Sequence, residues 1–396
     1  MVKNMPWSTL FYKLGGAAAG LAAAVWISAT MNAAGRGEQA MYVFVFSLVS
    51  IVCQVGSASL VYLASRFDVN RLLIQSVALS AVGALFSAAL LFVFPVSSFQ
   101  LVSLVLTGLL AGIWNAKANA CLGLSQIKDY NQIAIIQPLS LLWALISAYY
   151  LGLKSDMNTF IYCFILSNAI TSLYSFYIVK FTSIHSGEPQ YRNLIKHGGY
   201  IQLANLLQAL KYRVHYLLIA TYIGNESLGI FANAMMLIEA IWLISRSYAT
   251  QHLSETANTG MHKDIRVRTK TKTWESVAFT ALACALVYLI PENWLLRVFG
   301  SDFKGISDIF AALIPGAIGM AAGNQVAHYF SGTGKNHVNT LTSALGLVLV
   351  AGMSWLLIPR MGIWGACWAS GLGFGVVAVV LWITFYSEKS TKMIHS

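Results

Sequence analysis

Twelve apolar runs follow one another along this sequence, each of about 18–25 residues, the length that carries an α-helix across roughly 30 Å of hydrocarbon. They cover residues 9–32, 40–64, 71–94, 99–123, 131–153, 158–180, 200–223, 228–250, 274–291, 306–331, 338–358 and 361–386. The gaps carry turn signals, among them "AAGRGEQ" (33–39), "FPVSS" (94–98), "IGNES" (223–227) and "LIPRMG" (357–362). None is long enough to fold separately. The expected fold is an all-α polytopic membrane protein of about 12 transmembrane helices. Composition agrees: 57% of the residues are hydrophobic and only 10% are charged, where a soluble domain carries about a quarter. The five cysteines sit singly in apolar runs without CxxC spacing, which suits small core residues better than a disulfide frame or a metal site. Lys3 followed by an alanine-rich run resembles a secretory signal, but the apolar run is long for one and Lys13 lies at its start.

The net charge of +11 matters here through its sidedness. With a cytoplasmic N-terminus, the cytoplasmic segments hold sixteen Lys and Arg and the outside loops five, Arg36 among the latter. That bias places both termini inside. The "KDIRVRTKTK" run (263–272) then reads as a topology signal in contact with anionic lipid head groups, and no nucleic-acid partner is expected. Two longer linkers, 181–199 and 251–273, stand out. The first divides the chain into an N-terminal six-helix lobe (1–180), a cytoplasmic linker (181–199) and a C-terminal six-helix lobe with a short tail (200–396). The halves are loosely alike: "ISATMNAAGRGEQAMYVFVFSLVSIV" (27–52) aligns with "LIATYIGNESLGIFANAMMLIEAIW" (218–242), and "AGIWNAK" (111–117) with "AGNQVAH" (322–328). Two six-span copies share orientation, so the expectation is a pseudo-two-fold axis along the membrane normal with a site between the lobes.

Four cations fall within the spans, Lys117, Lys211, Arg213 and Arg246, against one acid, Glu239. Lys211 and Arg213 near the middle of the seventh span cost about 2.5–3.5 kcal/mol each to insert. The nine Leu, Ile and Val between Leu203 and Ile223 return only about 0.3–0.6 kcal/mol apiece. This helix is therefore expected to face water, a polar partner or an anion along at least one side. At 100° per residue Lys211 shares a stripe with Gln208 and His215, while Arg213 is turned about 160° away. Either Lys211 and His215 line a cavity while Arg213 bonds a neighbouring helix, or local unwinding brings them together. Glu239 has two readings, the buried partner of Lys211 or Arg213 or a protonatable coupling group; His215 is the second coupling candidate. Arg246 lies near a span end, where it can snorkel. Asn115 and Asn119 on the fourth span, and Asn324 and His328 on the tenth, are each one turn apart; they serve either helix-to-helix hydrogen bonds or a hydroxyl-rich ligand. Convergence of the four cations and Glu239 would give a central cationic cavity suited to an anion such as phosphate.

No GxxxxGK[ST], HExxH or GxSxG pattern is present, and the loops leave no room for an ATPase domain. An integral-membrane polysaccharide polymerase or glycosyltransferase is the enzyme alternative, disfavoured by outside loops of only about fourteen residues. "LKYRVHYLLIATYIGNESLGIFANAMMLIEAIW" (210–242), "LLRVFGSDF" (295–303) and "LIPRMGIWGACWAS" (357–370) resemble the polysaccharide-exporter branch of the multidrug/oligosaccharidyl-lipid/polysaccharide (MOP) flippase superfamily. Arg213 and the "LLI" at 217–219 match that branch's seventh-span pattern, whereas His215 replaces its usual acid. The resemblance to O-antigen (Wzx-type) flippases implies a non-enzymatic carrier. It would move an undecaprenyl-diphosphate-linked oligosaccharide from the cytoplasmic to the periplasmic leaflet of the bacterial inner membrane by alternating access. It would need no cofactor, with proton or sodium movement the candidate coupling. Membrane lipids, a polysaccharide polymerase and a chain-length regulator are the expected partners, around a functional monomer. A cation-coupled multidrug antiporter is the alternative within the superfamily.

Overall fold

The computed structural model describes residues 7–91, 97–179, 190–259 and 263–388, with side chains described for all of these except 7–10, 90, 244–259, 263, 264 and 336. The first helices are α1 (Trp7–Cys53), α2 (Val55–Leu63), α3 (Val69–Leu91), α4 (Ser98–Gly123), α5 (Ile127–Tyr150) and α6 (Met157–Ile178). They are followed by α7 (Tyr191–Tyr222), α8 (Asn225–Thr259), α9 (Lys263–Tyr288), α10 (Glu292–Phe299), α11 (Ile306–Gly332), α12 (Asn336–Met361) and α13 (Ile363–Ser387). No strand occurs among the described residues. Nine of these helices are long and apolar enough to cross a membrane, and α9 with α10, bent by 83°, makes a tenth candidate. The chain is a multi-pass membrane protein.

Each expected span falls on a helix, with altered edges. α1 is two helices joined across a kink, and its 47 residues take in the first expected span and most of the second. The "AAGRGEQ" segment is helical, not a turn. The chain is broken at one residue only, Asn32 (φ 60, ψ −177), whose side-chain oxygen accepts the Gly35 N–H at 3.0 Å. Asn tolerates positive φ because its short amide can bond locally. α7 is long enough to span but too polar to count among the nine, the result of Lys211, Arg213 and His215. Residues 191–199 of the expected linker open α7, and the linker expected at 251–273 is helical wherever it is described. The longest expected outside loop, "PENWLLRVFGSDFK" (291–304), contains α10.

Helix ends follow local chemistry. Ser97 and Gln100 form a reciprocal capping box at α4, and Asp156 accepts the Thr159 N–H at α6. Gly224 (φ 115) and Gly362 (φ 61) make the sharp reversals before α8 and α13.

Packing divides the chain into two compact units, Met1–Met31 with Glu38–Ala209, and Asn32–Gly37 with Leu210–Ser396. In the first, Tyr42 stands edge-on to Phe160 and Phe164, and its hydroxyl lies 2.8 Å from the Ser103 hydroxyl. In the second, α11 and α13 run parallel, with Gly316 facing Gly371 and Gly319 facing Gly375. α12 returns antiparallel, its Val350 against Gly373. Such small-residue contacts let backbones approach closely where lipid offers no hydrophobic drive. Tyr212, Trp242 and Phe374 form a ring cluster inside this unit.

Candidate functional site

The turn at Gly224 folds α8 back against α7 and brings Arg213 to Glu239. One guanidinium nitrogen, Nη2, donates to both carboxylate oxygens at 2.6 and 2.8 Å. The other, Nη1, donates to the Tyr216 hydroxyl, one turn along α7, and the guanidinium lies 4.8 Å from the centre of the Tyr216 ring. Of the two partners open to Glu239 in sequence, the structure pairs it with Arg213. The pair is not sealed: the two side chains are 30% and 31% exposed. A competing anion could reach the guanidinium without the helices unfolding.

Arg36 joins this cluster from the start of the chain. The segment Asn32–Gly37 packs on α8 backbone to backbone. A Cβ on Gly37 would overlap the Asn225 carbonyl, and one on Gly229 would overlap the Ala33 carbonyl. The two segments that align in sequence, one from each half, therefore touch. Arg36 is 7% exposed, and its Nε donates to Asn233 Oδ1 at 2.8 Å. It lies within electrostatic reach of Tyr216, Arg213 and Glu239. Arg36 was expected in an exposed outside loop; the absent Cβ atoms of Gly37 and Gly229 draw it inward instead.

Lys211 and His215 do not share an environment. The Lys211 stem crosses α12, with Cδ 2.8 Å from where a Gly346 Cβ would sit, and its ammonium is 4.9 Å from the Tyr212 ring centre. His215 is fully buried between the rings of Tyr216 and Phe231, at 5.3 and 4.9 Å, and neither ring nitrogen has a hydrogen-bond partner.

The remaining expected residues have surroundings of their own. Lys117 belongs to the first unit, where its ammonium donates to the Val179 carbonyl at 3.1 Å, the C-cap of α6, and lies 4.2 Å from the Phe176 ring centre. Asn115 donates to Ala111 of its own helix at 2.9 Å. On α11, Asn324 has a buried Nδ2 without a partner, and His328 is half-buried. The Arg246 side chain lies outside the described residues. Sequence reasoning missed Arg36, Asn233 and Tyr216. The glycines at 37 and 229 were the available signal, since a helix interior keeps glycine at a cost of about 1 kcal/mol only where something must come close. Among the described residues no three His, Cys, Asp or Glu side chains come together as a metal would require.

The buried and half-buried charges of the docked segment, α7 and α8 through residue 243 are thus Arg36, Lys211 and Arg213 against Glu239. Glu226, at the first turn of α8, is exposed. Such a set, with one exchangeable carboxylate, suits an anionic ligand that offers more acceptor oxygens than Glu239 does.

The fold has solved counterparts. The chain is similar to a multidrug resistance MATE family transporter of the MOP superfamily in an inward-facing conformation, at TM-score 0.74 and 14% identity over 93% of each chain. It is similar to the lipid II flippase MurJ in an inward closed conformation, at TM-score 0.75 and 12% identity over 96% of this chain and 87% of that chain. A MOP superfamily transporter from Pyrococcus furiosus, described as having a binding pocket of reverse polarity that suggests a different function, matches at TM-score 0.65 and 14% identity over 96% and 93%. No protein-family model and no curated protein matches the sequence. At these identities the likeness establishes the fold.

Proposed function

We propose that this chain is a flippase for a polyprenyl-diphosphate-linked oligosaccharide of the O-antigen or related surface-polysaccharide type. It moves that substrate from the cytoplasmic to the periplasmic leaflet of a bacterial inner membrane, both termini being cytoplasmic, by alternating access between two six-helix lobes. The observation that carries the reading is the excess of fixed positive charge in the second unit, Arg36, Lys211 and Arg213 against Glu239. A diphosphate leaving water needs fixed cationic donors, and Arg presents paired N–H groups to its oxygens. In the resting state Glu239 occupies Arg213; on loading, the diphosphate takes its place, and on release the carboxylate returns. That exchange needs no cofactor, and proton uptake by the displaced Glu239 is the coupling step the geometry favours. The reverse-polarity description of the Pyrococcus furiosus transporter supports the principle that this fold accommodates pockets of differing charge.

The second reading, a cation-coupled drug antiporter, draws on the MATE neighbours and on the partial exposure of Glu239. The two readings separate in reconstituted vesicles. A flippase moves a fluorescent polyprenyl-diphosphate sugar and ignores cationic dyes, and Arg213→Ala and Lys211→Ala each lower that movement at least about tenfold, roughly the 1.4 kcal/mol of one charge-assisted hydrogen bond, at normal protein levels. Full activity in both variants, or transport of the dye in place of the lipid, refutes the flippase.

A further inference from the structure

A membrane protein exposes apolar side chains to lipid everywhere, so exposure alone marks nothing. The exposed face of α11 and α13 that carries Val379, Ile383 and Tyr386 is different because it is concave and because one end of it carries a cation. A groove of about 530 Å³ runs between these helices, within the range of small-molecule sites. Gly319 and Gly375 form its floor, and Val379, Trp382, Ile383 and Tyr386 its walls.

Two details show that the groove is built. The first is Gly375. Gly319 is held small by packing, since a Cβ there would lie 3.1 Å from the Gly375 backbone, but a Cβ on Gly375 would meet nothing within 4 Å. Packing between the helices therefore does not require glycine at 375, although glycine costs about 1 kcal/mol in a helix interior; its bareness leaves the floor open. The second is the mouth. Trp382 donates its indole N–H to the Ala322 carbonyl at 3.0 Å and lies 5.5 Å from the Tyr386 ring, so its ring is fixed. The Lys270 ammonium stands 4.7 Å from the centre of that Tyr386 ring and, among the described residues, makes no hydrogen bond or ion pair. Beside it Arg266 is already engaged, donating to the Phe385 and Glu388 carbonyls at 2.6 Å each. This anchors the end of α13 and leaves Lys270 as the cation able to take a new partner.

We propose that this groove binds one anionic glycerophospholipid, an acyl chain lying along Gly319 and Gly375 between the aromatic and aliphatic walls and the headgroup phosphate resting on Lys270. The charge at the mouth selects an acidic headgroup, and the apolar walls accept a flexible hydrocarbon chain. The "KDIRVRTKTK" run thereby does more than orient the chain: one of its lysines recognises a lipid. The inference is independent of what the protein transports.

The test uses the purified full chain in nanodiscs of equimolar phosphatidylcholine and phosphatidylglycerol, with retained lipid counted by native mass spectrometry. The wild type is expected to keep one phosphatidylglycerol in preference to phosphatidylcholine. Lys270→Ala should cut that preference about fivefold, the effect of one lysine near an anionic headgroup. Gly375→Leu, whose side chain enters open space, should lower retention of both lipids without lowering thermal stability. Arg268→Ala, exposed on the same helix, should change nothing. Equal retention of both lipids by the wild type, an unchanged preference in Lys270→Ala, or an equal loss in Arg268→Ala would overturn the site. So would displacement of the phospholipid by added polyprenyl phosphate, which would make the carrier lipid the occupant.

Discussion

Lys117 and Arg213 are both cations inside membrane spans, one in each unit, and their fates differ. Lys117 is spent on a fixed dipole. Its ammonium faces the Val179 carbonyl at the C-terminus of α6, where the helix end carries about half a negative charge. Arg213 is balanced by a side chain and not by a backbone dipole, a Glu239 carboxylate nearly a third exposed. A charged residue in a span therefore does not by itself mark a site. On the proposed reading, the kind of counter-charge distinguishes a helix cap from a group available to substrate.

The sharpest way to break this contrast is to remove the exchangeable charge while keeping its shape. Glu239→Gln should tighten binding of a polyprenyl diphosphate about tenfold, because Arg213 loses its internal competitor, and should slow lipid translocation by at least as much. Equilibrium binding and vesicle translocation measured together check this; unchanged translocation with tighter binding would leave Glu239 a structural partner only. A smaller effect is expected from Lys117→Met. Losing a charge-assisted bond at a helix end should cost about 1–2 kcal/mol of stability, seen as a lower melting temperature, with translocation per folded molecule intact. A specific loss of translocation would place Lys117 in the substrate path after all. The smallest effect belongs to His215→Phe. Both ring nitrogens are buried without partners, and orphaned polar atoms cost about 1–3 kcal/mol, so an aromatic of similar shape should be neutral or stabilising by up to about 1 kcal/mol. Loss of activity in a well-folded His215→Phe protein would restore this histidine as a coupling group.

The spans were legible because run length and hydropathy are one-dimensional properties that the bilayer reads directly. The Arg213–Glu239 pair was legible as one option, because adjacent antiparallel spans bring mid-helix charges together; the choice over Lys211 was not, since it depends on side-chain direction. The burial of Arg36 was hidden for a different reason. Its surroundings depend on contacts nearly 200 residues away and on two missing Cβ atoms, and "AAGRGEQ" has the composition of a turn. The same holds for Arg266. A basic run announces sidedness, but nothing local in it says that one guanidinium ties off the last helix at the Phe385 and Glu388 carbonyls. α10 escaped notice because eight residues are too few for a membrane-length window.

The hydrogen bond from Arg36 to Asn233 closes across 197 positions, and that separation is also an interval of time. At roughly 5–20 residues per second of synthesis, Arg36 leaves the ribosome about 10–40 s before its partner exists. The first helix pair is therefore made early and finished late, and a chain stopped short of α8 would carry an arginine with no Asn233 to receive it.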